Sequence, residues 1–428
     1  MKTEQIHGLF LKCKAVCTDT RTLEKDAIFF ALKGDNFNGN TYAEKAIELG
    51  AKYVIIDDEA YYISSQTILV NNVLKTLQRL ASFHRSYLGV PIIALTGSNG
   101  KTTTKELMNT VLAQKYNTTA TVGNLNNHIG VPLTLLSMDS TTEIGIIEMG
   151  ANHLKEIAFL CAIAKPDYGY ITNFGKAHLE GFGSVEGVIK GKSEMYDYLI
   201  SEEKSILVNA NDSIQIKKTE KGKIFTFGNT TTKSHVAIDF VEAQPFVKCS
   251  YNNIEIQSQL IGDYNFNNIA AAIAIGNYFK VDDNAIKTAI ESYTPTNNRS
   301  QIIQKGNTKI ILDAYNANPT SMRAALSNLK NQEGYKTAIL GDMFELGKQS
   351  SKEHQAIVDY ANMLNIEEII LIGEYFYKSE ISSKKTSKHK TFEDFETNFN
   401  ISNTEESTLL IKGSRGMALE RILKLMTP

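Results

Sequence analysis

Short runs of apolar, mostly β-branched residues recur along this chain, and helix-like segments separate them. Such runs read as parallel strands buried on both faces, and most of them end in Gly, Asp or Asn, as strands do where they enter a loop. They cover residues 53–57, 91–97, 144–150, 168–173, 205–209, 309–315, 336–342, 367–373 and 407–413. The pattern predicts the α/β fold class, with helices packed on largely parallel sheets.

Two joints interrupt this alternation. One helix-like segment ends at Gly89, just before Pro91, and the turn-rich segment 293–300 separates an Ala-rich helix from the next apolar run. At ~100–200 residues per domain, the chain has room for two to four domains. We predict three, comprising residues 1–85, 86–298 and 299–428.

Two segments depart from the strand and helix alternation. The segment from Phe225 to Gly262 alternates polar and apolar positions between turn signals, which predicts an antiparallel hairpin region attached to the middle domain. The Ser- and Lys-rich stretch at residues 379–390 is most simply a solvated loop.

Charge and cysteine content narrow the function classes. The chain has 428 residues, with 45 Lys and Arg against 47 Asp and Glu, so no overall positive field gathers nucleic acid or an anionic membrane. Any anionic ligand must therefore be held locally.

The four cysteines include one C-x3-C pair without a histidine at zinc-finger spacing, which predicts reduced, buried thiols. The longest apolar run, Ile269 to Ile275, is far shorter than the ~20 residues of a membrane span. We expect a soluble cytoplasmic protein.

A glycine-rich turn follows the run at residues 91–97. Its residues are Gly97, Ser98, Asn99, Gly100, Lys101, Thr102 and Thr103, and a helix-like segment comes next. Backbone N–H groups of such a turn can wrap a phosphate, the lysine can neutralise phosphate oxygens, and Thr102 can hold Mg²⁺. The spacing departs from G-x-x-x-x-G-K-[ST], because Leu95 stands at the first glycine position. The plainer alternative is a strand-turn-helix joint with a solvated lysine.

Three further polar side chains follow strand-like runs in the same region. Glu148 ends the run at 144–150, His178 follows the run at 168–173, and Lys192 comes fourteen residues later. Each alone would be an ordinary surface residue. α/β sheets bind ligands at the carboxyl ends of their strands. These three side chains and the glycine-rich turn from Gly97 to Thr103, here called the phosphate loop, therefore form a set able to bind two divalent ions.

The order of these and other motifs resembles the Mur ligase family. The matching segments are GSNGKTTTKE, NLNNHIGVPLT, EMGANHLKEI, NFGKAHLEGFGS, the GKSE around Lys192, GDYNFNNIAAAIAIG, NNRS, DAYNANPTSM, LGDMFELG and IKGSRGMALE. Residues 18–55 are similar to the family's uridine-diphosphate-binding domain. The resemblance thus covers essentially the whole chain.

The resemblance implies an ATP-driven amide ligase. A substrate carboxylate would attack the γ-phosphate of ATP to give an acyl phosphate, which an amine would then attack. Three of the motifs resemble the branch of the family whose substrates are UDP-N-acetylmuramoyl-tripeptide and D-alanyl-D-alanine. The implied architecture is a central P-loop-type ATPase sheet, an N-terminal UDP-binding α/β domain and a C-terminal Rossmann-like domain.

The resemblance also assigns roles to residues. Lys101, His178 and Lys192 would be catalytic, and two Mg²⁺ ions would be held by Thr102, Glu148, His178 and a carbamylated Lys192. ATP would contact the phosphate loop together with Asn265, Asn268, Arg299 and Asp313. The other substrates would contact Thr20, Arg21, Lys33, Gly34, Asn124, Asn126, Asn127, His128, Asn316 and Asn318.

Some of these residues also have simpler interpretations. Asn265 and Asn268 stand where they could cap a helix, and Pro319 gives Asn318 a role at the start of another. The loop Asn38-Gly39-Asn40 differs from the Asp-Gly-His common in the family, so only its glycine carries over.

Alternative functions remain open at this point. A sister Mur ligase or a folylpolyglutamate-synthase-like enzyme would share the ATP chemistry, and a P-loop NTPase switch would use only one metal ion. A dinucleotide-binding protein is disfavoured because no G-x-G-x-x-G follows a strand. We expect a monomer with no nucleic-acid or membrane partner.

Overall fold

A computed structural model describes residues 1–296, 298–398 and 406–426. Asn297, the first residue of the NNRS motif, lies outside this part of the chain. The strands described form three large sheets of mixed or parallel pairing and one two-stranded ribbon, with helices packed between them. The predicted α/β fold class is confirmed.

The N-terminal sheet has four strands in the order β1-β2-β5-β6, all parallel. After β2, the chain forms a separate two-stranded antiparallel ribbon from β3 and β4. The elements are α1 (Thr3–Phe10), β1 (Val16–Cys17), β2 (Ile28–Phe30), β3 (Lys33–Gly34), β4 (Phe37–Asn38), α2 (Ala43–Glu48), β5 (Tyr53–Ile56), β6 (Thr67–Leu69) and α3 (Val73–Leu88).

The next segment of the chain contains a nine-stranded sheet with interleaved helices. Its elements are β7 (Ile92–Thr96), α4 (Lys101–Leu112), β8 (Thr118–Ala120), α5 (Gly130–Leu136), β9 (Ile144–Glu148), α6 (Glu156–Ala164), β10 (Tyr168–Ile171), α7 (Leu179–Phe182), α8 (Val185–Ser201), β11 (Ser205–Asn209), α9 (Ser213–Lys218), β12 (Lys223–Gly228), β13 (Val236–Glu242), β14 (Lys248–Tyr251), β15 (Ile254–Gln257), α10 (Phe266–Tyr278) and α11 (Asp283–Ser292). The order is β15-β14-β13-β12-β11-β10-β7-β9-β8.

β7 lies inside this sheet between β10 and β9, and its residues Ile92, Ile93, Ala94 and Leu95 are buried. Helices cover it on both sides, which is why the strand is a continuous apolar run. Because the chain leaves β7 toward β8 and β9 on one side and later returns to β10 on the other, the strand order reverses at its carboxyl end. Such a reversal opens a crevice in which α/β proteins bind ligands.

The predicted antiparallel region is confirmed for β13, β14 and β15, which form an antiparallel meander. β12 does not belong to it, although most of this strand lies in the predicted segment. β12 pairs parallel with β11 over five residues and pairs parallel with the start of β13. The meander therefore extends the middle sheet at its edge.

The C-terminal sheet has six strands in the order β16-β17-β21-β18-β19-β20, with only β16 antiparallel among them. Its elements are β16 (Gln301–Lys305), β17 (Thr308–Asp313), α12 (Pro319–Lys330), β18 (Tyr335–Gly341), α13 (Ser350–Met363), β19 (Glu368–Ile372), α14 (Glu374–Tyr377), β20 (Thr386–His389), α15 (Phe392–Asn398) and β21 (Ser407–Lys412).

The prediction of a solvated loop at residues 379–390 is wrong in part. Residues 386–389 form the edge strand β20, which pairs parallel with β19, and Ser379 and Thr386 are buried. Lys388 is half-buried, and its Nζ donates to the Ser379 carbonyl oxygen at 2.9 Å. Charged residues are common on edge strands, where they discourage further pairing. An edge strand of this kind lacks the apolar run that marks the central strands.

The joint after the first sheet is built by α3, which packs against α1, α5 and α6. The helix ends at Leu88, and Gly89 adopts a left-handed conformation (φ 66°) that glycine adopts without strain. The proposed boundary after residue 85 thus falls within the last turn of α3.

Two expectations from composition concern the whole chain. The four cysteines are free; Cys17, Cys161 and Cys249 are buried, while Cys13 is only half-buried. No helix in the described residues is both long enough and apolar enough to cross a membrane.

Candidate functional site

Three strand ends meet at the crevice beside β7. Leu95 of β7 lies opposite Glu148 of β9, and Thr96 lies opposite Ile171 of β10. The phosphate loop follows β7, Glu148 ends β9, and the loop with His178 follows β10. The sheet therefore gathers these groups, as the strand pattern predicted.

The phosphate loop requires its two glycines. Gly97 has φ 144°, and a Cβ atom there would lie 1.9 Å from Thr172 Oγ1. Gly100 has φ 79°, and its Cβ would lie 2.5 Å from Asn268 Oδ1. Side chains are strained at such φ values and would also clash here. The backbone of the turn thus lies so close to the segments containing Thr172 and Asn268 that only glycine fits at these two positions.

Lys101 starts α4, and no side chain caps the first turn of this helix. Unpaired N–H groups at a helix N-terminus attract anions. Lys101 Nζ folds back to donate to the Gly97 carbonyl oxygen at 2.8 Å. Burial lowers the pKa of Lys101, while Glu148 opposes that shift. The N–H groups of Ser98 and Asn99 already donate to Asn173. The groups that the described structure offers to a phosphate are therefore the N–H groups at the start of α4 and the side chain of Lys101.

Thr102 and Glu148 form a buried oxygen pair. Thr102 Oγ1 donates to Glu148 Oε2 at 2.8 Å, and Asn126 Nδ2 donates to Glu148 Oε1 at 2.8 Å. Glu148 is 1% exposed, so the alternative of a surface loop acid is wrong. The site holds a carboxylate whose two oxygens are both oriented by neighbours.

Lys192 is fully buried on α8. Its Nζ donates to the Ala151 carbonyl oxygen at 3.1 Å and lies 5.3 Å from the centre of the Phe182 ring. Burial, reinforced by the charge of Lys101, lowers the pKa of Lys192 well below its ordinary value. The charges of Glu156, Glu194 and Glu148 oppose this shift but do not offset it, so the buried position favours the neutral amine.

His178 has a left-handed backbone (φ 52°) and faces the C-terminal sheet. Its Nδ1 lies 2.5 Å from Oε2 of Glu345, in the loop after β18. This contact lowers the pKa of the Glu345 carboxyl. A residue more than 160 positions away in the sequence thus reaches the predicted catalytic histidine.

The C-terminal sheet also touches the phosphate loop directly. Asn318 Nδ2 donates to Asn99 Oδ1 at 2.7 Å, while Asn318 Oδ1 accepts from Ser321 N and caps α12. The predicted site role and the structural role of Asn318 are therefore both compatible with its position. A second link joins Lys176 Nζ to Glu353 Oε1 at 2.7 Å.

Asp313 ends β17 beside the same cleft. Lys412 Nζ donates to Asp313 Oδ2 at 2.5 Å and to the Asn316 carbonyl oxygen at 3.1 Å. The Lys412 side chain is buried, with 2% of its surface exposed. Ser300 N donates to Asp313 Oδ1 at 3.1 Å. Arg299 stacks on the Tyr315 ring at 3.6 Å, and its Nε has no hydrogen-bond partner among the described residues.

Asn265 and Asn268 are both buried near the start of α10, behind Gly100. Neither side chain caps the helix. Asn268 Nδ2 donates to Asn265 Oδ1 at 2.8 Å, and Asn268 Oδ1 accepts from Thr104 Oγ1 at 3.1 Å. The capping alternative is wrong, because Asn268 links α10 to α4 and Asn265 holds the amide of Asn268 in place.

The loop before α5 presents its polar residues in different directions. Asn126 bonds to Glu148, whereas Asn127 Oδ1 accepts from Ile129 N and Gly130 N at the start of α5. Asn124 and His128 are exposed. Of the four predicted residues, Asn126 is the one tied directly to the acidic centre.

The predicted contacts of the N-terminal sheet form a separate group. Arg21 pairs with Asp19, which lowers the pKa of Asp19 to about 2, and Lys33 Nζ lies 2.9 Å from Asp57 Oδ1. Gly34 and Thr20 are not buried. Among the described residues, no hydrogen bond or ion pair joins Thr20, Arg21, Lys33 or Gly34 to the phosphate loop.

The loop Asn38-Gly39-Asn40, which differs from the common family sequence, still requires a glycine at its centre. A Cβ on Gly39 would lie 2.4 Å from the Leu32 carbonyl oxygen. Asn40 is fully buried; its Nδ2 donates to Asp57 Oδ1 at 3.0 Å, and its Oδ1 accepts from Asp57 N at 3.0 Å. Asn40 therefore holds the acid that pairs with Lys33.

Two residues of the site had no predicted role. Glu345 and Lys412 lie in the LGDMFELG and IKGSRGMALE motifs, but only the tertiary structure shows what they touch. The available signal was their position at or just after a strand end of the third sheet.

Comparison with known proteins defines the class. Family models match three consecutive segments: "Mur ligase family, catalytic domain" at residues 12–85, "Mur ligase middle domain" at 95–276, and "Mur ligase, glutamate ligase domain" at 298–415. The chain belongs to the Mur ligase family.

Within that family, the following proteins are similar to this chain over nearly its whole length. The UDP-N-acetylmuramoyl-tripeptide–D-alanyl-D-alanine ligase of Bacillus subtilis is 34% identical, over 98% of this chain and 93% of the relative. A crystal structure of MurF from Acinetobacter baumannii has a TM-score of 0.88 at 28% identity, covering 99% and 98% of the two chains. The MurF ligase from Thermotoga maritima in complex with ADP has a TM-score of 0.83 at 25% identity, covering 97% of each chain.

Proposed function

We propose that this chain is the ATP-dependent ligase that joins D-alanyl-D-alanine to UDP-N-acetylmuramoyl-tripeptide in peptidoglycan precursor synthesis. The observation that carries the proposal is the convergence of the Gly97–Thr103 loop, Glu148 and His178 at three adjacent strand ends. The names and whole-chain coverage of the relatives supply the substrates.

The chemistry has two steps, each with a clear demand on the protein. A carboxylate oxygen of the tripeptide attacks the γ-phosphorus of ATP, a P–O bond forms, and the bond to the ADP oxygen breaks. The amine of D-alanyl-D-alanine then attacks the acyl carbon, loses a proton and expels phosphate. Both substrates of the first step are anions, so positive charge must hold them together. Lys101 and the N–H groups of α4 supply it.

The residues present fit Mg²⁺, which neutralises developing phosphate charge when bound. Among residues 1–296, 298–398 and 406–426, no three side chains of His, Cys, Asp and Glu form a ready-made metal cage. Magnesium in nucleotide enzymes normally takes one or two carboxylates, with phosphate oxygens and water completing its shell. Thr102 and Glu148 offer such hard oxygens for one ion, and His178 lies ready for a second.

We propose that Lys192 becomes a carbamate. The neutral amine that burial favours can attack CO₂, forming an N–C bond and losing one proton. The product carries negative oxygens, and Lys101 nearby stabilises them. A cation at this buried position would instead repel metal ions. Lys192 would thus add an oxygen ligand that the unmodified side chains lack.

The remaining contacts follow from position in the cleft. We assign ATP to the phosphate loop, with Asn265 and Asn268 behind it and with Arg299 and Asp313 across from it. We assign the muramoyl end of the substrate to the loop Asn124, Asn126, Asn127 and His128, and the far side of the cleft to Asn316 and Asn318. Since no described residue pairs with the Nε of Arg299, that donor can serve a ligand.

The three predicted domains would divide this work. Residues 1–85 would bind the UDP end through Thr20, Arg21, Lys33 and Gly34, residues 86–298 would bind ATP, and residues 299–428 would close the cleft. We place the reaction in the cytoplasm, where ATP is found, and propose that the enzyme acts as a monomer.

The test is substrate dependence. Release of ADP should require both the UDP-muramoyl tripeptide and D-alanyl-D-alanine, and a screen of other amines should give much lower rates. A sister ligase would accept a different amine, and a P-loop switch would release ADP without either substrate. ADP release independent of D-alanyl-D-alanine would contradict the proposal.

A further inference from the structure

The loop after β18 makes a contact that the proposed reaction does not yet explain. Glu345 lies in this loop with a left-handed backbone (φ 61°), and its carboxylate reaches His178. Its carbonyl oxygen accepts from Glu180 N at 3.1 Å. Glu345 thus contacts both His178, through its side chain, and the first turn of α7, through its backbone. α7 begins directly after His178.

His178 depends on this contact for its orientation. Its Nδ1 is shielded from solvent and makes no regular hydrogen bond within the described residues, and Glu345 Oε2 lies 2.5 Å away. Histidines that bind metal usually present one ring nitrogen to the ion and direct the other toward a carboxylate or carbonyl oxygen. With Nδ1 facing Glu345, Nε2 is the nitrogen left for the site.

We propose that Glu345 is a positioning residue, contributed by the C-terminal sheet, that orients His178 so that the active site is complete only when this sheet is docked. The inference rests on the proposed function, in which His178 serves the second metal ion. It goes beyond that function because it assigns a role to a carboxylate of another sheet.

A second interface contact provides a matched control. Lys176 and Glu353 also join the middle and C-terminal sheets, through an ion pair of 2.7 Å, but neither touches His178 in the described structure. Breaking this pair with Glu353→Gln weakens docking without removing the partner of the histidine. The two roles of the interface, docking and orientation, can thus be separated.

The experiment uses the whole chain and five variants: Glu345→Ala, Glu345→Gln, His178→Ala, the His178→Ala/Glu345→Ala double variant and the control Glu353→Gln. Mn²⁺ binding in the presence of a non-hydrolysable ATP analogue is measured by electron paramagnetic resonance, alongside kcat and KM. We expect Glu345→Ala to weaken binding of the second Mn²⁺ by about 10–100-fold, the usual cost of losing such a partner. Glu345→Gln should recover part of this loss, since its amide oxygen can still lie against Nδ1 and hold the ring in place.

The double variant decides whether Glu345 acts through His178. If it does, adding Glu345→Ala to His178→Ala should cost nothing further in Mn²⁺ affinity or kcat. A double loss equal to the product of the single losses would overturn the inference, because Glu345 would then act independently, for example as a direct metal ligand. An equal loss of Mn²⁺ affinity in Glu353→Gln would overturn it as well, since docking alone would explain the effect.

The outcomes also separate this inference from the proposed function. If His178→Ala bound two Mn²⁺ ions normally and kept its rate, the metal role of His178 would be wrong, and the inference would fall with it. If His178→Ala were impaired while Glu345→Ala behaved like the parent enzyme, only the inference would be overturned.

Discussion

The phosphate loop and the nucleotide contacts of the N-terminal sheet are both predicted anion sites, yet they are built differently. In the phosphate loop, Gly97 and Gly100 touch side chains of two other segments, and Lys101 is held against the loop's own backbone. In the N-terminal sheet, Lys33 and Arg21 are exposed and are paired with acids of the same sheet.

This difference separates a preformed site from an adaptable one. The loop at Gly97 cannot change shape without displacing Thr172, so its donors are fixed before a ligand binds. Arg21 can leave Asp19 for a diphosphate at modest cost, because solvent screens this exposed ion pair. Lys33 is itself exposed, and Asp57, which is nearly buried, keeps hydrogen bonds from Asn40 and the Val73 N–H when Lys33 turns to a ligand. Changes in the first region should therefore affect both rate and stability, and changes in the second should affect substrate affinity.

The largest effect is expected for Lys101→Ala. Removing the cation that stabilises phosphate charge should lower kcat by about 10²–10³-fold, the usual cost of losing one such group. The fold should persist, because Lys101 is only partly buried and bonds to its own loop. The measurement is ADP release together with circular dichroism. Lys115→Ala, just beyond the other end of α4, is the control and should be active. A fully active Lys101→Ala would remove the phosphate-loop assignment.

The next largest effect is expected for Lys192→Ala. Loss of a group that supports a metal site costs up to about 100-fold, and we expect a loss near that upper end. Added acetate or formate should restore part of the rate by placing a carboxylate in the vacated space. Lys192→Arg keeps the charge but cannot form the carbamate, so it should stay inactive and resist rescue. Parental activity in Lys192→Arg would contradict the ligand role.

Two matched glycine substitutions test how rigid each region is. At Gly97 an added Cβ meets Thr172 Oγ1 at 1.9 Å, so Gly97→Ala should lower the free energy of unfolding by about 1–3 kcal/mol, the usual cost of overpacking. At Gly34 no atom lies within 4 Å of an added Cβ, so Gly34→Ala should stay within about 0.5 kcal/mol of the parent. Urea denaturation measures both. Equal stabilities would show that the two loops do not differ as described.

Among the substitutions of charged residues, the smallest effect is expected for Lys33→Ala. A hydrogen bond to a charged group contributes ~1.5 kcal/mol, so KM for the UDP substrate should rise about tenfold while kcat stays unchanged. Lys14→Ala, which breaks an exposed pair with Asp26 in the same sheet, is the control. Steady-state kinetics at saturating ATP give both constants. A fall in kcat without a change in KM would mean that Lys33 does not act through UDP binding.

The strands that could be predicted are those with continuous apolar runs. β7, β9 and β10 are buried between helices, so their composition reveals them and places the phosphate loop, Glu148 and His178 at one edge. Shorter strands escaped prediction. β20 consists of Thr386, Ser387, Lys388 and His389, and only pairing with β19 makes it a strand.

The sequence by itself determined the α/β class, the phosphate loop and the order of the chemically important residues, because these depend on local composition and on short spacings. Tertiary structure alone decided that β12 is parallel to β13, that Asn268 packs behind Gly100, and that Lys412 holds Asp313. It also decided that Glu345 meets His178. These contacts join segments far apart in the chain, and their energies depend on how the sheets dock, which no local pattern records.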